Sequence, residues 1–269
     1  MKNVYKYEFK ANFKNTLIWL ICLTGVNLIF LSLYQGSLQD INDFKALLSG
    51  YPPEALKAMQ FDFVGVFSFS NYYSSVLLYL NLCLGIQASV LAFSLFTKEL
   101  KLKLSDYLYS KPVSRSNILL QKYLAGLTLL IIEFVFLFLF NVLLLKNSRT
   151  EVDFILFFNI NLSMLMVMLS FFSLSFLFAC LANKWINPSI RGLEVGLIFF
   201  LVKIITNLGE TDDFTDLFKY ISLFDYSDPR YLMSHNFYSA LNICLLLAVV
   251  AISLVLGFLN FKKKNLQGG

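Results

Sequence analysis

Three ionisable side chains, Glu133, Glu194 and Lys203, stand inside long apolar runs of the chain. A charge in hydrocarbon is costly, so each marks a functional or a paired position. The chemistry open to them is proton binding or ion pairing. Glu133 lies 11 residues past Lys122 and Lys203 lies 12 past Arg191, about 16 and 18 Å of helix rise, which places both at similar depth. A Glu133–Lys203 contact between two helices is the expected pairing. Its alternative is Lys203 snorkelling outward, with Glu133 protonated or bonded to a hydroxyl. Glu194 and Lys203 are nine apart and fall on opposite faces of one helix.

Other chemistry is thinly supplied. The single histidine, His235, allows neither a multi-histidine metal site nor an H-E-x-x-H protease. No G-x-S-x-G turn supports a hydrolase around it. Cys22, Cys83, Cys180 and Cys244 occur singly in apolar runs, without the spacing of zinc ligands or a disulfide framework, and read as packing residues. No G-x-x-x-x-G-K-[ST] loop is present to cradle a nucleotide.

The elements that must hold these residues are membrane spans. Of the 269 residues 58% are hydrophobic and 14% charged, against about 25% charged in soluble domains. Six segments are apolar and long enough to cross a bilayer: 16–33, 72–96, 123–145, 154–181, 193–208 and 237–261. The fifth is short and carries Glu194 and Lys203, which suits a tilted or broken helix. The expected class is an all-α integral membrane protein with six transmembrane helices in a single transmembrane domain over 1–269.

Charge sets the expected topology. Of the 22 lysines and arginines, 15 fall in the N-terminus, in the loops after spans two and four, and in the tail. By the positive-inside rule both termini are cytoplasmic. Of the acids, Glu8, Glu99 and Asp106 share that face. The first apolar run lacks a small-residue cleavage pattern and reads as an uncleaved span.

Between the spans the chain keeps helical periodicity. Lys2, Lys6, Lys10 and Lys14 recur every four residues, with Tyr5, Phe9 and Phe13 alongside. This predicts an interfacial helix over 1–15, lysines toward anionic headgroups. In the outer part of 16–96, Ile41, Phe44 and Leu48 suggest one helix, and Pro53 begins another through Ala58. A second outer segment, 209–236, spaces Phe214, Leu217, Phe218 and Ile221 helically. In the cytoplasmic region 97–122, Leu100, Leu104, Tyr107 and Leu108 form a narrow apolar stripe that ends at Pro112. Such a helix either lies on lipid or inserts into a groove on a soluble partner. The remaining divisions are 123–208, with spans three to five, and 237–269, with span six and the basic tail.

At that region the chain resembles the membrane subunits of ABC-2-type ATP-binding-cassette exporters. The residues that carry the resemblance are Lys98 and Glu99; Ser105, Asp106, Tyr107 and Leu108; Lys111, Pro112, Val113, Ser114 and Arg115; and Ile118 to Lys122. Tyr51 to Leu56 and Tyr220 to Pro229 support it. Lys103 and Leu104 replace a common glycine–threonine pair, and Leu223 replaces a common proline.

The resemblance implies a half-transporter, in which two permease copies, identical or related, work with two copies of a separate ATPase that holds ATP and Mg. No cofactor is expected in this chain. It further implies that Glu99, Leu100, Leu104, Leu108, Pro112 and Arg115 form the ATPase-coupling helix and its ends, whose movement shifts spans one, two and five between inward-open and outward-open states. The implied place is a bacterial plasma membrane. The implied cargo is an amphipathic peptide, such as a phenol-soluble modulin or antimicrobial peptide, with drug, lipid, polysaccharide or sodium cargo as alternatives. Span four offers Met164, Met166 and Met168 with Asn159, Asn161, Ser163, Ser170 and Ser173, a soft surface for such a cargo or ordinary packing. A proton-coupled carrier using Glu133 and Glu194 is the competing function.

Overall fold

A computed structural model describes residues 2–39, 49–58, 69–102, 115–147, 153–182, 186–208, 213–235 and 237–263. The described elements are helical: α1 (Lys2–Gln39), α2 (Pro53–Ala58), α3 (Phe69–Leu102), α4 (Arg115–Asn147), α5 (Phe154–Leu181), α6 (Pro188–Leu208), α7 (Asp213–Ile221), a 3-10 turn (Asp225–Ser227), α8 (Tyr231–His235) and α9 (Ala240–Lys263).

Five of them, α1, α3, α4, α5 and α9, are long and apolar enough to cross a membrane. At 21 residues α6 is about 31 Å long, enough for a bilayer core, but every 18-residue stretch of it contains Arg191, Glu194 and Lys203. The caps at its start and at that of α5 follow from sequence. Asp153 accepts from Ile155 N at 2.9 Å. Asn187 accepts from Ser189 N at 3.1 Å, with Pro188 in the first turn, where a missing N–H costs nothing.

α3 is the central helix. Its apolar stretch is 78% buried, that of α5 67%, and those of α1, α4 and α9 only 22, 28 and 17%. It packs on α5 and α6, while α9 lies on α5 and α1 on α4. The α3–α6 contact depends on glycine: a Cβ on Gly192 would stand 2.8 Å from the backbone N of Val90, and one on Gly196 2.3 Å from Ile86 Cγ1. Small residues four apart let two membrane helices approach at backbone distance. Because Gly192 meets Val90 and Gly196 meets Ile86, the two helices run antiparallel. Lys203 therefore lies toward the end opposite Leu95.

One expectation changes. The interfacial helix expected over 1–15 is the beginning of a single 38-residue helix. Glu8, Asn12, Thr16, Leu20, Leu23, Asn27, Leu31 and Tyr34 are all buried, and their spacing of three and four makes one stripe along the whole of α1. Lys6, Lys10 and Lys14 are exposed on the other edge. The helix at Pro53–Ala58 and that at Asp213–Ile221 stand where the periodicity predicts them. Ile41, Phe44 and Leu48 lie outside the described residues.

Candidate functional site

At the end of the molecule where α1 and α4 start and α3 finishes, a buried polar joint ties the three together. Lys122 Nζ of α4 lies 3.0 Å from Glu8 Oε1 of α1, with both side chains under 5% exposed. It also donates to the Leu95 carbonyl of α3 at 2.6 Å. Asn12, one turn beyond Glu8, donates to the Glu8 carbonyl at 2.8 Å and accepts from Ser94 Oγ of α3 at 3.1 Å. Tyr5 Oη donates to Thr128 Oγ1 at 3.1 Å, and Lys98 Nζ sits 4.7 Å from the Tyr7 ring centre. A buried ammonium is tolerated only when paired and hydrogen-bonded. Here the carboxylate and the carbonyl do both.

The opposite end holds a second buried lysine. Lys203 Nζ donates to Asp225 Oδ1 at 2.5 Å and to Asp228 Oδ2 at 2.6 Å. Thr206 Oγ1, one turn on, donates to Asp225 Oδ2 at 2.9 Å. The backbone N of Arg230 donates to Asp228 Oδ1 at 2.9 Å, and its guanidinium reaches Asn207 Oδ1 at 3.1 Å. Local folding explains why two aspartates converge. The chain turns after Ile221 through the 3-10 turn, with Asp225 N bonded to Ser222 O and Ser227 N to Phe224 O. Phe224 is buried against Phe171 and Phe200, which anchors the turn. Burial alone would raise the Asp228 carboxyl, but the charges of Lys203 and Arg230 and their hydrogen bonds outweigh it and hold it at about 2.

Between the two ends lie polar groups of the spans. Asn27 of α1 donates to Asn141 of α4, which donates to Asn161 Oδ1 of α5 at 2.8 Å. Tyr73 of α3 donates to the same oxygen at 2.8 Å. Three amides and a tyrosine hydroxyl thus join four helices. Glu133 is fully buried, with Gln87 of α3 beside it.

The expected Glu133–Lys203 contact is not formed. Equal helix rise put the two at one depth, but Lys203 turns to the aspartates of the segment that follows α6. Glu194 is not a lone charge within the fold either: it lies in the second turn of α6, nearly half exposed, 2.6 Å from Arg191. Met164, Met166, Met168, Asn161, Ser163, Ser170 and Ser173 are buried within the chain, so the soft surface of span four is interior packing. Asn159 is half-buried. His235 stacks on Tyr231, ring centres 4.1 Å apart.

Of the coupling residues, Glu99 and Leu100 fall in the last turns of α3 and Arg115 begins α4. Leu104, Leu108 and Pro112 lie outside the described residues. Sequence reasoning missed Glu8, Asn12 and Ser94 in the first joint and Asp225 and Asp228 in the second. A signal existed for both. Glu8 is an acid among the N-terminal lysines, and Asp225 and Asp228 are three apart in the Tyr220–Pro229 motif.

The sequence profile of ABC-2 family transporter proteins matches residues 2–266, almost the entire chain. The chain belongs to this family. A comparison with curated proteins gave no significant match. As an ABC-2 family member it is a multi-pass membrane protein, the transmembrane component of an ABC transporter rather than a catalytic chain. Permeases of this family generally work with an ATP-binding-cassette subunit. In an ABC-2 permease the two polar joints acquire distinct settings: one beside the segment between spans two and three, the other on the helix that carries Gly192 and Gly196.

Proposed function

We propose that this ABC-2 permease exports an amphipathic substrate, best matched by a peptide toxin or antimicrobial peptide, across a bacterial plasma membrane. Two copies, identical or related, pair with a separate ATPase that binds ATP and Mg. Six helices cross the membrane, α6 among them, and both termini face the cytoplasm. The family match over residues 2–266 supports the permease part of this reading. The geometry supports its details. α3 and α4 have 34 and 33 residues, about 50 Å each, against a hydrocarbon core of about 30 Å. Both are longer than the core, and residues 103–114 connect them in sequence. ATP-driven closure of the ATPases pushes on that segment, with Leu104, Leu108 and Pro112 as anchors and Glu99 and Arg115 at the helix ends.

Alternating access follows from differential contact: the ATPase biases the two states only by binding them unequally. The tight α3–α6 contact makes those helices move together. Exposed apolar residues on α1 and α6, including Ile18, Ile21, Leu197, Ile198 and Leu201, are available to lipid or to the second permease. The test is Leu104→Asp with Leu108→Asp in the permease–ATPase complex. The expected outcome is loss of ATPase copurification and of peptide-stimulated ATP turnover, with the permease still extracted as a folded protein. Unchanged copurification and turnover would overturn the assignment of the coupling helix.

A further inference from the structure

The drive for transport enters, on the reading above, through residues 103–114, yet α1 has no chain connection to that segment. The buried joint supplies one. Leu95 lies seven residues before the end of α3 at Leu102, and Lys122 seven residues after the start of α4 at Arg115. Both partners thus sit about 10 Å of helix rise from the segment's two ends. Lys122 binds the Leu95 carbonyl and Glu8 at once, which fastens the two flanking helices to each other and both to α1. Asn12 to Ser94, Tyr5 to Thr128 and Tyr7 to Lys98 repeat the attachment on either side.

From these contacts we infer that Glu8 and Lys122 are positioning residues that pass movement of the adjoining ends of α3 and α4 to α1. The N-terminal helix is then a third arm of the coupling device rather than a lipid anchor alone. Buried ion pairs suit this use because they cannot slide: separating Lys122 from Glu8 strands a charge in apolar surroundings. The start of α1 must follow the ends of α3 and α4. Since α1 is one helix with one continuous buried stripe, its displacement carries to the far end near Tyr34. Lys6, Lys10 and Lys14, exposed on the other edge, keep their access to anionic lipid throughout.

This inference rests on the ATPase reading, so the experiment separates the two. The permease–ATPase complex is reconstituted in liposomes with a fluorescent amphipathic helical peptide, and peptide moved per ATP hydrolysed is recorded. A spin-label pair at Leu33→Cys on α1 and Leu241→Cys on α9, with Cys22, Cys83, Cys180 and Cys244 replaced by alanine or serine, reports movement without reliance on that peptide. Three forms are compared: wild type, Glu8→Gln, and Glu8→Leu with Lys122→Met. The double variant removes the Glu8 and Lys122 charges together, so neither is stranded by loss of the other. The expected result is retained ATPase binding and turnover in both variants, with peptide moved per ATP reduced about tenfold, the size of an ordinary coupling energy, and the ATP-dependent distance change lost. Lys122→Arg, which keeps a charged donor, should recover most of it. Wild-type transport and distance change in the double variant would overturn the inference while leaving the ATPase reading intact. If wild type itself neither binds the ATPase nor responds to ATP, the reading falls and takes the inference with it.

Discussion

Lys122 and Lys203 are both buried lysines at an end of the molecule, and they solve the same problem differently. Lys203 takes two carboxylates from residues 22 and 25 positions away in the chain. Lys122 takes the carboxylate of Glu8, 114 positions away, and a helix carbonyl 27 away. The first is a local staple, closing the turn after α6 back onto α6. The second joins three helices that meet only through the tertiary fold. Charge balance differs accordingly. Two aspartates face Lys203 with Arg230 beside them, whereas Lys122 is shared between the Glu8 carboxylate and a backbone carbonyl.

That difference orders the expected effects. Lys203→Met leaves two carboxylates together in a half-buried turn and should destabilise by about 3–5 kcal/mol, the usual result of removing one partner from a buried ion pair. Lys122→Met strands Glu8, but Asn12–Ser94 and Tyr5–Thr128 still hold that joint together, so it should cost less. Thermal unfolding of the detergent-solubilised protein measures both, and equal losses would break the comparison.

A smaller effect is expected from Gly192→Val. The added methyls meet the backbone of Val90, and overpacking of this kind costs about 1–3 kcal/mol. It should loosen α6 and with it the Lys203 staple, yet leave the Lys122 joint in place. The measurement is proteolysis of the Asp225–Ser227 turn compared with that of the N-terminal helix, and equal protection of both regions would contradict it.

Acid should separate the ends least. The Asp228 carboxyl is held below its unfolded range, at about 2. Its contribution is therefore complete above the unfolded value of about 4 and is lost as pH falls through about 2. The staple should be insensitive between pH 8 and 5 and weaken only below about pH 4. Unfolding temperature against pH, wild type beside Asp228→Asn, checks this, and a midpoint near neutrality would refute it.

How much was legible in advance depends on the range of the interaction. Pro53 announced the start of α2, because capping acts within one turn; Asn187 and Pro188 carry the same signal for α6, whose start the apolar run had put at Leu193. The lysines at every fourth position announced a helix over the first residues but drew attention to its exposed edge. The edge that decides its packing is Glu8, Asn12 and Thr16, which looks unremarkable until its partners are known. Equal helix rise suggested a Glu133–Lys203 pair, but depth is one coordinate of three. The short turn that brings back Asp225 and Asp228 intervened.

The sequence by itself determined membrane residence, the apolar helices and the face on which basic residues gather, since these follow from composition, period and nearest-neighbour chemistry. The family was legible there too, through the residues around Glu99 to Lys122, and the profile match over 2–266 agrees. Only the tertiary structure decided which buried charges meet: Lys122 with Glu8, Lys203 with Asp225 and Asp228. Pairing across more than a hundred residues depends on which helix faces are brought together, and that follows from packing around α3, which no local pattern encodes.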